Sequence, residues 1–334
     1  AIYVVHSLSE EYPDAYDQSL HIWGDTQKSH QTTPKTTYPQ ILQIPSHISF
    51  DDGLPRLEYI IRYIQSTSTN NNNNNNNFID PDFVFFVNDH TFVIPEHICY
   101  YLKDRDPLHD MYDGHALTNG KEELFNSGAA GYFLSRRTIQ RLVQSWDSHN
   151  PKCVSSGTTG NANNKFLQGN PGLATARCLH QHLRVVATDT REQRKYHRFH
   201  AFPLVRMVLG NVDQWYRDKH TGVKQVRGVT EELFTHSYTK LLHGPDCCSE
   251  ETMSFHYVEW METLCLFKVR NALLLRPDMD DTELQNMMRK EYPAQTKDIG
   301  AYSRKLPDDT DKDGWDGILQ VLRKISKVKT QMEC

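Results

Sequence analysis

The residues of this sequence best suited to chemistry form a polar triplet, Asn88-Asp89-His90, directly after an apolar run. The run, Phe83 to Val87, is rich in β-branched and aromatic residues, a composition typical of a strand covered on both faces. A buried strand that ends in polar residues is where an open α/β sheet presents its ligand site, outside the carboxyl ends of the strands. Because Asn and Asp also favour turns, a plain β-turn after a core strand is the competing interpretation.

The elements before the triplet predict a parallel, right-handed α/β half-domain, because strands and helices alternate there. The predicted elements are strands at 1–6 and 41–44 and helices at 10–23 and 54–64. Eight consecutive Asn residues, 70–77, follow the second helix. Such a tract cannot build a core, so we predict a disordered surface insertion over residues 66–77.

The elements after the triplet are mainly helices, with a late strand near the end of the first domain. We predict a helix starting at Pro95, further helices at 136–146 and 174–183, and strands at 184–187 and 254–258. The final segment carries apolar residues at helical spacing, which indicates an amphipathic helix that packs on the domain or on a partner. These residues are Trp315, Ile318, Leu319, Leu322 and Ile325. The predicted domains are residues 1–265 and a polar C-terminal extension, 266–334.

Composition narrows the class of protein. The 334 residues, 38% hydrophobic and 24% charged, fit one large α/β domain with appendages or two small domains. A net charge of -5 gives no basic footprint for nucleic acid. The chain contains no apolar run near the ~20 residues that cross a bilayer. It opens at Ala1 in a predicted strand, so we expect a domain excised from behind an N-terminal targeting segment.

Six short stretches match, in order and spacing, the motifs of one enzyme family; they lie at 88–93, 127–132, 176–178, 189–191, 199–202 and 244–258. The family sequences are Asp-Asp-Asp-Thr-Tyr/Phe-Val, Ser-Gly-Gly-Ala-Gly-Tyr, Gly-Arg-Cys, Asp-Ser-Arg, Phe-His-Pro-Phe and Gly-Pro-Gly-Cys-Cys-Ser with a later Ser-Phe-His-Tyr-Val. Together the stretches resemble the T-synthase group of glycosyltransferase family 31, the core 1 β-1,3-galactosyltransferases, which are related to the Fringe enzymes.

This resemblance implies a GT-A fold, in which a Rossmann-like mixed sheet flanked by helices binds a UDP-sugar. The implied activity is inverting transfer of a hexose, with galactose expected, to a GalNAc-like or other glycan acceptor in β-1,3 linkage. The implied location is the Golgi lumen, with a type II membrane anchor upstream of Ala1, and the chain could form a homodimer. The alternative is a catalytically inactive relative that serves as a chaperone or binding partner, as the T-synthase chaperone does.

The resemblance also implies a Mn²⁺ site, which this sequence alters. In the family, the third residue of the acidic triplet and the His of Phe-His-Pro-Phe bind the metal, and these positions are His90 and His200 here. Asp89, the only carboxylate left in the triplet, is a third candidate ligand. Hard divalent cations favour oxygen over imidazole, so the predicted site is weakened.

The same motifs imply which residues bind the nucleotide-sugar and which residue stands at the position of the family's catalytic base. The residues implied to bind the nucleotide-sugar are Asn88, Asp89, Gly128, Ala129, Gly131, Tyr132 and Arg191. The family's catalytic Asp falls on Gly172, which cannot accept a proton. Asp189 and His180 are the candidate substitutes, with His182 and His197 as further alternatives. Residues 170–172 otherwise have the composition of a turn before a helix.

The cysteines imply disulfides in an oxidising lumen. Cys153 and Cys178 are expected to pair, closing a loop worth ~3 kcal/mol in the chain-entropy model. The adjacent Cys247 and Cys248 are expected to bridge to different partners, for which Cys99 and Cys265 are the candidates. The odd total of 7 cysteines leaves at least one thiol unpaired within the chain.

Overall fold

The computed structural model describes residues 3–4, 40–41, 53–69, 81–87, 90–118, 124–128, 130–148, 153, 175–193, 195–210, 237–239, 241–292, 306–307 and 311–327. The predicted helix at 10–23 and the poly-Asn tract lie outside these residues, as do Asn88, Asp89, Ala129 and Gly172. The chain divides into two compact units, residues 1–81 and 82–334.

The first unit contains a pair of short strands and one helix. Strands β1 (Tyr3–Val4) and β2 (Gln40–Ile41) pair in parallel, as the alternating pattern predicts. Helix α1 (Gly53–Thr69) buries Leu57, Ile61 and Ile64, which share one face at helical spacing. The predicted helix is therefore confirmed, but it extends to Thr69, into the stretch predicted to be a disordered insertion.

The second unit holds most of the described strands and helices. Its strands are β3 (Phe83–Phe86), β4 (Thr91–Val93), β5 (Tyr112–Gly114), β6 (Ala116–Thr118), β7 (Leu124–Asn126), β8 (Tyr132–Ser135), β9 (Thr188–Asp189), β10 (Phe199–His200) and β11 (Ser254–His256). Its helices are α2 (Pro95–Leu102), α3 (Arg136–Asp147), α4 (Leu204–Leu209), α5 (Trp260–Leu275), α6 (Asp281–Glu291) and α7 (Lys312–Ile325), with a π-helical segment at Cys178–Leu183. The predicted strand at 184–187 is wrong, because the strand begins at Thr188.

A four-stranded mixed sheet has the order β3-β8-β5-β9. Strand β8 runs antiparallel to both β3 and β5, whereas β9 runs parallel to β5. Consequently β3, β5 and β9 all point the same way. Among the described strands β3 pairs only with β8, so it lies at the edge of this sheet. All four of its residues are half-buried, so the Phe83 strand is covered less completely than predicted.

A second sheet has three strands in the order β10-β11-β4, and it packs against helices. Phe92 and Phe255 of this sheet pack in one cluster with apolar residues of helices α4 to α7. The five apolar residues of the predicted amphipathic helix are all buried there, so that helix packs on its own domain, as one of the two alternatives predicts. The domain boundary proposed at residue 265 falls inside α5.

Two disulfides occur among the described residues. The predicted Cys153–Cys178 bond is confirmed, with Cα atoms 4.6 Å apart. The prediction for Cys247 and Cys248 is wrong, because they bond to each other, with Cα atoms 3.7 Å apart. A 3₁₀ turn at Gly244–Asp246 precedes them, and the amide of Cys247 donates to the carbonyl of Gly244. Cys265, offered as a partner, is a buried free thiol.

A membrane-spanning helix is not found among the described residues: no helix there is both long enough and apolar enough.

The buried carboxyl of Glu262 on α5 should make stability depend on pH. Burial raises the pKa of this carboxyl to about 8. Because the folded-state pKa exceeds the unfolded-state value, the protonated Glu262 stabilises the fold fully below the unfolded pKa. This contribution is lost as pH rises through about 8.

We therefore expect the melting temperature to fall between about pH 5 and pH 8 and then to level off, and the fall to be shallower in Glu262→Gln. Scanning calorimetry across this range measures the effect. The matched control is Glu250→Gln, because Glu250 is only half-buried and does not act on Glu262, and its pH profile should follow that of the parent protein. Parallel profiles for the parent protein and Glu262→Gln would contradict the assignment.

Candidate functional site

The carboxyl ends of three strands meet at one edge of the mixed sheet. The register puts Phe86, Tyr132, Gly114 and Asp189 in one row across β3, β8, β5 and β9. At ~4.8 Å per strand, the row spans roughly 14 Å. Strand β3, which the polar triplet follows in the sequence, ends at this edge, and such an edge is where an open α/β sheet places ligands.

A cleft lies where β5 and β9 end. Its lining is mostly polar, and it is formed by Gly114, His115, Ala116, Asp189, Thr190, Arg191, His197, Phe199 and Thr239. Two of the predicted residues, Asp189 and Arg191, are brought together here. The hydroxyl of Thr190 donates to the carbonyl of Gly114 at 2.7 Å, which holds the end of β9 against β5.

The Asp189 carboxylate is held by Arg191. The Arg191 guanidinium donates to both carboxylate oxygens, at 2.9 Å from Nε and 2.7 Å from Nη2. These hydrogen bonds lower the pKa of Asp189 and raise that of Arg191. A carboxylate with a lowered pKa is a weaker proton acceptor. Asp189 is therefore better suited to carrying negative charge and orienting a neighbouring group than to acting as a catalytic base.

Two histidines form the inner wall of the cleft. His115 and His197 are buried, with ring centroids 5.1 Å apart. Burial, and then the charge of His197, lowers the pKa of His115 to about 3, so its ring is neutral at physiological pH. The backbone of His197 bridges to Cys248, and its carbonyl accepts from the amide of Ser249 at 3.0 Å. The Cys247–Cys248 segment therefore helps to position His197.

His115 was missed by the sequence analysis. The available signal was its position, directly after a strand end marked by Asp113-Gly114. His197 was one of the alternatives for the base, and it does line the cleft. His180 lies half-buried in the π-helical segment, and His182 is exposed; neither lines the cleft.

The two predicted metal-binding histidines lie at different places around the three-stranded sheet. His200 is buried on β10 and its ring stacks on Phe255 at 4.6 Å. Its Nε2 atom lies 3.3 Å from the Thr252 hydroxyl, and its Nδ1 atom has no hydrogen-bond partner within the described part of the chain. Burial lowers the pKa of His200 well below the usual value, so the ring is neutral. His90 is exposed, and it precedes β4, two strands away from β10.

The neutral imidazole of His200 suits metal binding, but the described residues do not form a complete manganese site. Among them, no group of three His, Cys, Asp or Glu side chains is placed to hold a metal ion. The strand register sets the Cα atoms of His90 and His200 roughly 12 Å apart. Asp89, the carboxylate that would favour a hard cation, lies outside the described residues.

Gly131 and Tyr132, from the stretch that resembles the family's Ser-Gly-Gly-Ala-Gly-Tyr, help to pack the strands together. Gly131 has φ +91°, and a Cβ there would lie 2.6 Å from Phe85. Tyr132 is buried, stacks on Phe86 at 5.3 Å and meets Tyr112 edge-on at 5.4 Å. Strand β8 begins at Tyr132, and helix α3 follows it, which confirms the helix predicted at 136–146. Gly128 differs, because its Cβ position faces open space.

The chain is similar in sequence to a known galactosyltransferase. The chain is 26% identical over 190 residues to the glycoprotein-N-acetylgalactosamine 3-beta-galactosyltransferase 1 of Xenopus laevis. The match covers 56% of this chain and 45% of that protein, so the chain spans less than half of its relative's length. No family model matches the chain. The similarity supports a relationship to the galactosyltransferases of family 31, and the mixed α/β architecture is consistent with a glycosyltransferase.

The row of strand ends depends on Gly114. A Cβ at this position would lie 2.8 Å from the Cβ of Tyr132 and 2.9 Å from the carbonyl oxygen of Gly131, and neither backbone-bound atom can easily move away. We expect Gly114→Ala to lower the free energy of unfolding by roughly 1–3 kcal/mol, since overpacking forces strand shifts. Gly128→Ala, with nothing within 4 Å, is the matched control. Urea denaturation measures both, and equal stabilities would contradict the close-packing argument.

Proposed function

We propose that this chain is a UDP-sugar-dependent glycosyltransferase. It moves a hexose, with galactose expected, to a GalNAc-like glycan acceptor in β-1,3 linkage with inversion. The observation that carries the proposal is the Asp189–Arg191 pair in a cleft at the carboxyl edge of a mixed sheet. The 190-residue similarity to a 3-beta-galactosyltransferase supports it independently.

An inverting transfer needs charge neutralisation at the diphosphate and a proton acceptor for the acceptor hydroxyl. In the proposal, Arg191 supplies positive charge at the cleft, while Asn88, Asp89 and Gly128 contact the nucleotide. Arg suits this role because its charge persists at every physiological pH and its planar group recognises phosphate. Gly131 and Tyr132 contribute by shaping the edge of the sheet.

Manganese remains a prediction of the family resemblance. Asp89, His90 and His200 would be its ligands, and the metal would neutralise charge on the diphosphate. The buried Nδ1 atom of His200 is the described donor best suited to this role.

We assign the proton acceptor to His197. It lines the same cleft as Asp189. A carboxylate next to an imidazole can orient the ring and stabilise its protonated form. Neither sequence-based candidate has these features together: Asp189 is occupied by Arg191, and His180 lies outside the cleft lining.

Calorimetric titration of UDP tests the donor site, first with Mn²⁺ and then with EDTA. We expect binding, strengthened by Mn²⁺, followed by transfer from UDP-galactose to a GalNAc α-glycoside detected by mass spectrometry. Failure to bind UDP under both conditions would refute the proposed function. Equal affinity for UDP with Mn²⁺ and with EDTA would be consistent with a transferase but would exclude manganese from its donor site.

His197→Ala should separate chemistry from binding. Loss of a general base typically costs 10²–10⁴-fold in rate, so we expect kcat to fall by about that factor. Affinity for UDP should change by less than about threefold, because the proton acceptor acts on the acceptor substrate. His180→Ala is the control and should keep the parent kcat. An unchanged kcat in His197→Ala would exclude this histidine as the base.

The second candidate function is a catalytically inactive relative that binds or folds a partner protein. Gly172 at the family's base position, together with the loss of two acidic residues at Asn88 and His90, favours it. Absence of UDP binding combined with a stable partner in pull-down experiments would identify this function.

The cellular setting is proposed on the same basis. A Golgi lumenal enzyme with a type II anchor upstream of the chain would meet glycoprotein acceptors there, and it could act as a homodimer. The disulfides Cys153–Cys178 and Cys247–Cys248 are compatible with an oxidising compartment.

A further inference from the structure

The turn that carries the Asp189–Arg191 pair is held at its middle residue, Thr190. Thr190 is buried, and its hydroxyl donates to the carbonyl of Gly114 at 2.7 Å. Its carbonyl accepts a hydrogen bond from Nη1 of Arg198. Because Thr190 lies between Asp189 and Arg191 in the chain, these two hydrogen bonds help to set where both charged side chains stand.

Arg198 is itself held by Glu251. Its Nε and Nη2 atoms donate to Oε2 of Glu251 at 3.1 and 2.6 Å, while Nη1 donates to the Thr190 carbonyl. The two side chains are only 14% and 11% exposed, so salt screens this ion pair little. The Cζ atom of Arg198 also lies over the ring of Tyr101, 5.4 Å from its centroid. One planar group therefore connects a carboxylate, an aromatic ring and the backbone of the cleft.

The strand pairing brings Arg198 and Glu251 together. Strands β10 and β11 pair in parallel just beyond these two residues, and the amide of Met253 donates to the carbonyl of Arg198 at 2.7 Å. The amide of Glu251 donates to the hydroxyl of Ser249 at 2.8 Å, which fixes the turn before β11. The ion pair therefore stands on backbone that is hydrogen-bonded on both sides.

Packing alone does not require charges at this place. Two apolar side chains of similar volume often stabilise a protein as well as a buried ion pair, because burying two charges costs their solvation. An apolar side chain, however, cannot donate to the Thr190 carbonyl. Lys could not replace the planar fork of Arg198, which bonds the carboxylate and the carbonyl at once.

We propose that Arg198, held by Glu251, is a positioning residue for the cleft. It fixes the turn at Thr190 so that the Arg191 guanidinium faces an anionic ligand. Arg198 is not among the residues that line the cleft, so it acts on the ligand through Arg191. The inference rests on the proposed function in one respect, that the ligand carries a diphosphate.

The test uses variants of the full chain. Arg198→Met removes the donor to the Thr190 carbonyl. The double variant, Arg198→Met with Glu251→Leu, removes both charges, so that no unpaired charge stays buried and the melting temperature should recover. Arg270→Met is the matched control, because the Arg270 side chain is 6% exposed and pairs with Glu96, and neither residue lines the cleft.

Hydrogen exchange, followed by mass spectrometry, measures the turn without any ligand. The amide of Arg191 donates to Oδ1 of Asp189 at 3.1 Å, so its exchange rate reports whether the turn is held. We expect exchange about tenfold faster in Arg198→Met and in the double variant, the factor that corresponds to loss of one hydrogen bond to a charged group. The control Arg270→Met should exchange at the parent rate here.

Calorimetric titration of UDP measures the consequence for binding. We expect Arg198→Met and the double variant to bind UDP about tenfold more weakly, as Arg191→Ala should, because each loses one well-placed charged contact. Since Arg198 acts through Arg191, adding Arg198→Met to Arg191→Ala should weaken binding by less than about threefold more. A role in general stability predicts instead that the two losses multiply.

Three results would overturn the inference. One is exchange near Arg191 that stays at the parent rate in Arg198→Met. Another is UDP affinity that recovers with the melting temperature in the double variant. The third is losses from Arg191→Ala and Arg198→Met that multiply.

The positioning role and the proposed function can fail separately. A parent chain that binds UDP, with unchanged exchange and affinity in Arg198→Met, would leave the transferase and exclude the positioning role. A parent chain that does not bind UDP would refute the transferase. The exchange rate of Arg191 would then decide by itself whether Arg198 holds the turn.

Discussion

The site depends on one constraint, the close approach of the backbones of β5 and β8. Gly114 leaves room for that approach, because a Cβ there would lie 2.8 Å from the Cβ of Tyr132. Gly131 leaves room for the side chain of Phe85 on β3, which a Cβ at Gly131 would meet at 2.6 Å. Strand β8 runs antiparallel to both of its neighbours, so β3 and β5 end at the same edge. Thr190 then ties β9 to the carbonyl of Gly114. A bulkier residue would separate the strand ends that line the cleft.

Electrostatics at this edge follows from the same packing. The buried rings of His115 and His200 are held neutral by loss of solvent, while the Asp189–Arg191 pair keeps its charge because each ion is hydrogen-bonded to the other. Charge is therefore concentrated at the mouth of the cleft, with neutral imidazoles behind it. This arrangement suits a ligand that is anionic at one end and hydroxyl-rich at the other.

Local patterns predicted the helices well and the long-range pairings poorly. The helices at Gly53, Pro95 and Arg136 could be predicted because their periodicity and start signals lie within a few residues. The half-burial of β3 could not be predicted, because it depends on the place of the strand in the sheet and on the elements packed around it. Cys247 and Cys248 show the same limit: their mutual bond depends on the turn that brings both sulfur atoms to one side of the backbone.

From the residue order alone we could predict most of the elements, the apolar strand before the polar triplet and the motifs that resemble those of glycosyltransferase family 31. Asp189 and Arg191 became candidate site residues in the same way, because short motifs are written in neighbouring positions. The tertiary structure adds His115 and His197 to these candidates. The four residues are separated in the chain, and the pairing of β5 with β9 brings the strand ends that carry them to one cleft.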